Sequence, residues 1–227
     1  SPLEQARRTV ARALDLGITY LDTAPTYGDS EQVLGEVLAL ERRPFIMSTK
    51  LSGAAPDYKV RDKGFLRGAF ERSLRNLRRD RVDILMIHEP DRPGQLDWWT
   101  DPEGVGGPVL ELLGELKREG VIRFTGLGGT TSHELARLVD TGKFDVVLSA
   151  YNYSLLWREA ALEIFPAAKA SSYSARIARV SRRLWRMTST VYATRIAASR
   201  APSQRPMPPS AASAQNSSET AIMTGTS

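Results

Sequence analysis

The chain has 227 residues, of which 41% are hydrophobic, and this is enough for one ordinary globular core. It contains no cysteine, which excludes a disulfide framework, a thiolate nucleophile and a cysteine-based metal site. The net charge of +5 is unevenly spread, because residues 171–227 contain eight of the 31 basic residues and one of the 26 acidic residues. The first 170 residues are therefore close to neutral, and we expect no nucleic-acid partner for them.

No apolar run approaches the length of a membrane span, and the first residues lack a secretory apolar region. We therefore expect a cytoplasmic location and no membrane partner.

A strand followed by a helix recurs along the first 170 residues. The predicted strands are rich in β-branched and aromatic residues, and in chain order they read ITYLDTA, PFIMSTK, DILMIHEP, IRFTGLGG and DVVLSAYN. Apolar residues at helical spacing predict a helix before the first strand and one after each strand. Pro108 is predicted in the first turn of one helix, and Thr131 with Glu134 as a capping box at the start of another.

Uniformly apolar strands that alternate with helices predict a parallel sheet buried on both faces. Two architectures fit this pattern, a doubly wound sheet and a (β/α) barrel. Asp22, Lys50 and His88 each end a different strand, and in a barrel these ends share the rim where barrel enzymes carry their chemistry. No G-x-G-x-x-G motif follows the first strand. The sequence therefore favours the barrel.

Asp22, Tyr27, Lys50 and His88 together suggest acid–base chemistry. A nearby Lys50 ammonium would lower the pKa of the Tyr27 phenol, and Asp22 would pair with Lys50 and offset the cost of its burial. His88 would orient a substrate oxygen, so that the group protonates a carbonyl as hydride arrives. Each residue alone also fits a structural role. Metal-dependent hydrolysis is disfavoured, because no second histidine lies near Asp22, and no metal site is expected.

Residues 3–168 resemble the aldo-keto reductase family. The resemblance rests on GITYLDTAPTYGDSEQVLGEVL, on the lysine that ends FIMSTK, on the histidine in DILMIHEP and on SAYNYSLL. The family's catalytic tetrad falls on Asp22, Tyr27, Lys50 and His88. The resemblance implies a (β/α)8 barrel that binds NADPH, with NADH possible, and reduces a small-molecule aldehyde or ketone with Tyr27 as general acid.

The sequence departs from the family at the expected cofactor site. Many members carry Ser-Asn after the strand that here reads FTGLGG, and Gly128 and Gly129 stand at those positions. The resemblance therefore places the cofactor against Asp22, Gly128 and Gly129, with Asn152 or backbone groups replacing the missing side chains. Trp98 and Trp99 follow His88 in a long loop, where a substrate contact and a packing role both remain open.

The family pattern accounts for about five of the eight barrel strands, which correspond to the family's strands 2–6. The first, seventh and eighth strands and the loop that grips the adenosine phosphate are not recognisable in this sequence. We therefore expect an α/β fold with an incomplete (β/α)8 barrel over residues 1–170, whose strand edges are exposed. The alternative function is a truncated, non-catalytic fragment or binding module that cannot hold the cofactor.

Residues 171–227 are predicted to form a basic, low-complexity and largely disordered tail. Apolar residues at helical spacing within 176–200 also allow a part-helical tail that could meet anionic lipid or phosphate. We favour out-of-frame translation from about residue 171. If the serines of the run SSYS use TCN codons, reading one nucleotide earlier gives four apolar residues, as the missing seventh strand would require.

Overall fold

The computed structural model describes residues 1–53, 59–92, 97–174 and 193–195, in which helices and strands alternate. The helices are α1 Pro2–Asp15, α2 Ser30–Val37, α3 Lys63–Leu77, α4 Pro108–Arg118, α5 Ser132–Asp140, α6 Glu159–Leu162 and α7 Ile164–Ser174. The strands are β1 Tyr20–Asp22, β2 Ile46–Leu51, β3 Val82–His88, β4 Ile122–Gly129, β5 Val146–Ser149 and β6 Ala193–Arg195.

The strands form one sheet in the order β1-β2-β3-β4-β5-β6 within the described residues. The pairs from β1 to β5 are parallel, whereas β6 pairs with β5 in the antiparallel direction. The five parallel strands curl into a half-barrel. This confirms the predicted incomplete barrel, and it brings the carboxyl ends of the parallel strands to one edge.

Successive side chains along each strand point to opposite faces of the sheet. Leu85, Ile87 and Val147 point outward, where they belong to the large core between the sheet and the helices. Ile84 and Met86 belong to a small cluster on the inner face. The inner face is tight around β4, because a Cβ on Gly126 would lie 2.9 Å from the Met86 side chain.

The starts of three helices carry residues that were expected or able to cap them. Asp62 caps α3 by accepting a hydrogen bond from the Phe65 N–H at 3.0 Å, and Pro108 lies in the first turn of α4 as predicted. Thr131 is the N-cap residue of α5, but its side chain makes no capping hydrogen bond. The predicted capping box with Glu134 is therefore wrong.

The predicted domain boundary at residue 170 lies within a helix. Helix α7 continues to Ser174, past the domain end predicted at residue 170. Residues 193–195, which fell within the predicted amphipathic helix, form β6 instead. The remainder of that helix, and most of the tail predicted to be disordered, lie outside the described residues.

Candidate active site

Three of the predicted site residues stand at the carboxyl ends of adjacent parallel strands. Asp22 is the last residue of β1, Lys50 is the next to last of β2, and His88 is the last of β3. The register pairs Asp22 with Ser48 and His88 with Gly128. Parallel pairing therefore gathers these side chains at one edge of the sheet.

Lys50 and Asp22 form an ion pair at this edge. Lys50 Nζ donates to Asp22 Oδ2 at 2.5 Å and to the Thr23 carbonyl oxygen at 2.8 Å. The Lys50 side chain is almost fully buried, whereas Asp22 remains one-fifth exposed. Burial lowers the pKa of Lys50, although Asp22 and Glu31 act in the opposite direction. The pair therefore holds a charged lysine in a place where an unpaired one would be costly.

A hydrogen-bonded row extends from this pair along the inner face. The Ser48 hydroxyl donates to Asp22 Oδ1, and the Tyr20 hydroxyl lies 3.0 Å from the Ser48 oxygen. Asp22 thus receives a hydrogen bond on one oxygen and the ammonium of Lys50 on the other. This fixes the orientation of the carboxylate.

Tyr27 reaches the same edge from the loop that follows β1. Its hydroxyl lies 3.5 Å from His88 Nε2, and the two rings meet edge to face with their centroids 5.6 Å apart. The Lys50 ammonium lies over the Tyr27 ring, 4.8 Å from the centroid. The structure therefore brings Asp22, Tyr27, Lys50 and His88 together, as the sequence predicted.

The pKa of Tyr27 moves in the direction opposite to the expected one. Burial raises the pKa of Tyr27 to about 12, and the negative charges of Asp22 and Glu89 act in the same direction. The predicted lowering by Lys50 is wrong for this structure, because the Lys50 charge lies over the ring face and is paired with Asp22. Tyr27 is consequently a protonated phenol at neutral pH.

His88 is neutral at physiological pH. Burial lowers the pKa of His88 to about 4, with further contributions from the charges of Lys50 and Arg92. Its second ring nitrogen, Nδ1, lies 3.4 Å from the Thr26 hydroxyl. A neutral imidazole carries one N–H, so His88 can donate one hydrogen bond and accept another.

Glu31 is a buried acid that sequence reasoning missed. It lies in the first turn of α2, accepts from the Thr49 hydroxyl at 2.7 Å, and accepts from the Asn76 amide at 3.2 Å. Thr49 precedes Lys50 on β2, and the negative charge of Glu31 raises the pKa of Lys50. The acid therefore adds a second negative charge behind the lysine. A glutamate in the first turn of a helix gave no signal of this role.

The predicted cofactor residues on β4 and beyond it lie beside this cluster. A Cβ on Gly128 would lie 3.5 Å from Lys50 Cε, so the glycine faces the lysine with no side chain between them. Gly129 faces the other way, where its missing Cβ would lie 2.2 Å from Asp91 Oδ1. Asn152 donates both its amide hydrogens to the protein, to the Thr130 carbonyl and the Ser149 hydroxyl, each at 2.8 Å.

The two tryptophans do not reach the cluster. Trp98 and Trp99 are 0% and 6% exposed and belong to the core between the sheet and the helices. The Trp99 ring packs edge to face on Phe144, which precedes β5 at the opposite end of that strand from Ser149. The substrate role considered for these residues is therefore replaced by packing, because their indoles are enclosed by apolar neighbours.

Comparison with known proteins identifies the family. The aldo/keto reductase family model matches residues 1–175. The chain belongs to the aldo/keto reductase family. Members of this family are oxidoreductases that use nicotinamide cofactors.

Two curated relatives act on sugars by name. The chain is 30% identical to D-threo-aldose 1-dehydrogenase of a Pseudomonas species over 72% of this chain and 56% of that protein. It is 33% identical to 6-dehydroglucose reductase of Novosphingobium aromaticivorans over 59% of this chain and 44% of that protein. The chain thus spans about half the length of these relatives.

A solved structure resembles the described fold. The structure of a glycerol dehydrogenase from Gluconobacter oxydans matches with a TM-score of 0.58 and 26% identity, covering 75% of this chain and 52% of that chain. None of the helices in the described residues combines the length and the hydropathy of a membrane-spanning segment. The same part of the chain holds no group of three or more acidic or histidine side chains that could bind a metal ion.

Proposed function

We propose that this chain reduces an aldehyde or ketone to an alcohol with hydride from NADPH, or from NADH, and that Tyr27 is the general acid. The observation that carries the proposal is Tyr27, whose hydroxyl lies beside His88 and whose ring lies against the Lys50 ammonium at the edge of the sheet. A carbonyl oxygen near both rings would meet two groups able to donate a hydrogen bond. Hydride transfer itself requires the nicotinamide cofactor, which this family uses.

The raised pKa of Tyr27 suits a proton donor. A phenol with a pKa of about 12 keeps its proton throughout the neutral range. The alkoxide that develops on a reduced carbonyl is a stronger base than a phenolate, so the proton moves from Tyr27 to the substrate oxygen. Asp22 keeps Lys50 in place, with its ammonium against the face of the Tyr27 ring.

His88 is proposed to orient the carbonyl. Because His88 is neutral at physiological pH, it does not compete with Tyr27 as an acid. Its single N–H can be donated to the substrate oxygen, while the Thr26 hydroxyl contacts the other nitrogen. This arrangement separates the two tasks, with His88 positioning the oxygen and Tyr27 protonating it.

The residues around Gly128 fit a nicotinamide ring. Gly128 carries no side chain, so the backbone of β4 comes close to the Lys50 and Met86 side chains at this edge. Asn152 uses both its donors within the protein, so only its carbonyl oxygen remains to accept from a carboxamide N–H. We therefore propose Asp22, Gly128, Gly129 and Asn152 as the surroundings of the nicotinamide, with backbone groups supplying the other contacts.

A hydroxylated carbonyl compound is the substrate class we propose. Two relatives are named for sugars and the similar solved structure for glycerol. In this chain, the Glu89 carboxylate and Arg92 form an ion pair at 2.6 Å directly after His88. Both side chains are partly exposed and could bind substrate hydroxyl groups.

A second candidate is a non-catalytic chain that does not hold the cofactor. It is favoured by the sheet, which has five parallel strands in the described residues where a closed barrel of this type has eight. Titration of nicotinamide fluorescence with NADPH and with NADH separates the candidates. Saturable binding at micromolar cofactor supports the reductase, and a linear response throughout that range supports the non-catalytic chain and refutes our first proposal.

A further inference from the structure

The segments that follow β3 and β4 are joined at two points. The Glu89 N–H donates to the Gly128 carbonyl oxygen at 2.6 Å, one residue beyond the last paired position of β3. The Asp91 carboxylate makes the second connection, with Oδ2 accepting from the backbone N–H of Thr130 at 2.7 Å and from that of Thr131. The chain leaving His88 is therefore tied to the chain leaving Gly128.

Asp91 is buried and has no role in the chemistry described above. It is 1% exposed, and within the described residues its second oxygen, Oδ1, is buried without a hydrogen-bond partner. A buried carboxylate is costly unless it is hydrogen-bonded, and the two backbone N–H groups at the start of α5 supply those bonds. The Asp91 carboxylate also accepts from the N–H of the N-cap residue Thr131, a hydrogen bond that Glu134 would have accepted in the predicted capping box.

Gly129 makes room for this carboxylate. A Cβ at this position would lie 2.2 Å from Asp91 Oδ1 and 2.5 Å from the carboxyl carbon, so any side chain would displace Asp91. From the far side, Asn152 donates to the Thr130 carbonyl at 2.8 Å, and the Ala150 N–H donates to the Gly129 carbonyl at 2.9 Å. The Gly128–Thr131 segment is thus fixed from both neighbouring strands.

We propose that Asp91 is a positioning residue of the site, which keeps His88 beside Tyr27 and Gly128 beside Lys50 by holding the Thr130 and Thr131 amides. It is not a catalytic residue, because its carboxylate is enclosed and cannot touch a substrate. The proposal rests on the proposed function only in that His88 and Gly128 are taken as site residues.

Amide hydrogen exchange and NMR titration of histidine test this role without any cofactor. The chains to compare are the native protein, Asp91→Ala, Asp91→Asn and, as matched control, Asp62→Ala. Asp62 also accepts a backbone N–H at the start of a helix, but it caps α3 and not α5. The chain has two histidines, so His88 can be followed with the exposed His133 as an internal reference.

In Asp91→Ala we expect exchange at the Thr130 and Thr131 amides to be faster by about tenfold or more, because both lose a hydrogen bond to a charged acceptor. We also expect the pKa of His88 to rise from about 4 as its surroundings loosen. Removing a negative charge alone would lower that pKa, so a rise reports a change in position. Asp91→Asn keeps one acceptor oxygen. Its exchange rates at Thr130 and Thr131 and its His88 pKa should therefore lie between those of the native chain and of Asp91→Ala.

The proposal is overturned if Asp91→Ala leaves either the two amides or the pKa of His88 at native values. It is also overturned if Asp62→Ala changes them equally, since the effect would then be general destabilisation. Should Asp91→Ala fail to fold, Asp91→Asn decides in the same way, with faster exchange and a raised His88 pKa in support and native values against. Lack of NADPH binding would refute the proposed function but leave both of these measurements valid.

Discussion

Lys50 Nζ lies 2.5 Å from Asp22 Oδ2, and this ion pair joins the carboxyl ends of two adjacent parallel strands. The lysine is nearly enclosed, so its charge depends on Asp22 for compensation. Tyr27 lies against the same lysine, so the position of this charge next to the Tyr27 ring depends on the ion pair.

Asp22→Asn should destabilise the fold, because it leaves the buried Lys50 charge without its partner. We expect a loss of about 3 kcal/mol in the free energy of unfolding, at the lower end of the range for broken buried pairs because Asp22 is one-fifth exposed. Urea denaturation followed by circular dichroism measures it. The matched control is Glu36→Gln, which breaks the exposed pair with Arg78 and should cost less than about 1 kcal/mol. Equal losses of unfolding free energy in the two variants would show that the Lys50–Asp22 pair is no more important for stability than an exposed ion pair.

Alanine at the two adjacent glycines should have different effects on the stability of the fold. In Gly128→Ala the new methyl group would make an ordinary contact with Lys50, so the melting temperature should stay near native while NADPH affinity falls. In Gly129→Ala the methyl group would clash with Asp91 and destabilise the fold by about 1–3 kcal/mol. Thermal unfolding and cofactor titration of both variants check this. A stable Gly129→Ala chain would show that Asp91 is not confined as described.

Stability should fall in mild acid because of His88. Its pKa is about 4 in the folded chain, so between there and the ordinary value of about 6.5 the unfolded state binds the extra proton. The contribution of His88 is therefore complete above about pH 6.5 and is lost as the pH falls to about 4. Comparing urea unfolding of the native chain and His88→Gln across this range isolates the effect. If the free energy of unfolding changed with pH in the same way in both proteins, His88 would not be a buried neutral histidine.

Trp99 is expected to matter for stability and not for substrate binding. Its ring is 6% exposed and packs on Phe144, so Trp99→Ala should lower the free energy of unfolding by about 3–5 kcal/mol. Trp99→Phe keeps part of that contact and should fold with a KM close to native. Steady-state kinetics of Trp99→Phe with a small aldehyde provide the measurement. A tenfold rise in KM with native stability would instead indicate that Trp99 contacts the substrate.

The sequence was sufficient to predict the elements whose signal is local. IRFTGLGG coincides with β4, and the other parallel strands lie within or close to the predicted segments. The four residues at the sheet edge were predictable because strand ends meet in a parallel sheet and because their pattern resembles a family.

The sequence could not predict contacts between residues that are distant along the chain. Glu31 meets Thr49 and Asn76 only after folding, and Asp91, which follows β3, meets the start of α5, which follows the adjacent strand β4. The pKa of Tyr27 depends on burial and on the side of the ring where Lys50 lies, which no spacing reveals. Trp98 and Trp99 were assigned to a loop from the sequence. No residue spacing indicates that the segment carrying them folds back into the core.

The central claim is that Tyr27 delivers the proton in a nicotinamide-dependent carbonyl reduction. The most direct measurement is the loss of NADPH absorbance with a panel of aldehydes that includes hydroxylated ones, for the native chain and for Tyr27→Phe. Tyr153→Phe is the matched control, since that ring packs on Phe165. We predict that Tyr27→Phe lowers kcat by about 10²-fold or more, as expected for a lost general acid, and that Tyr153→Phe retains the native rate. A Tyr27→Phe chain that reduces the same aldehyde at the native rate would contradict the claim.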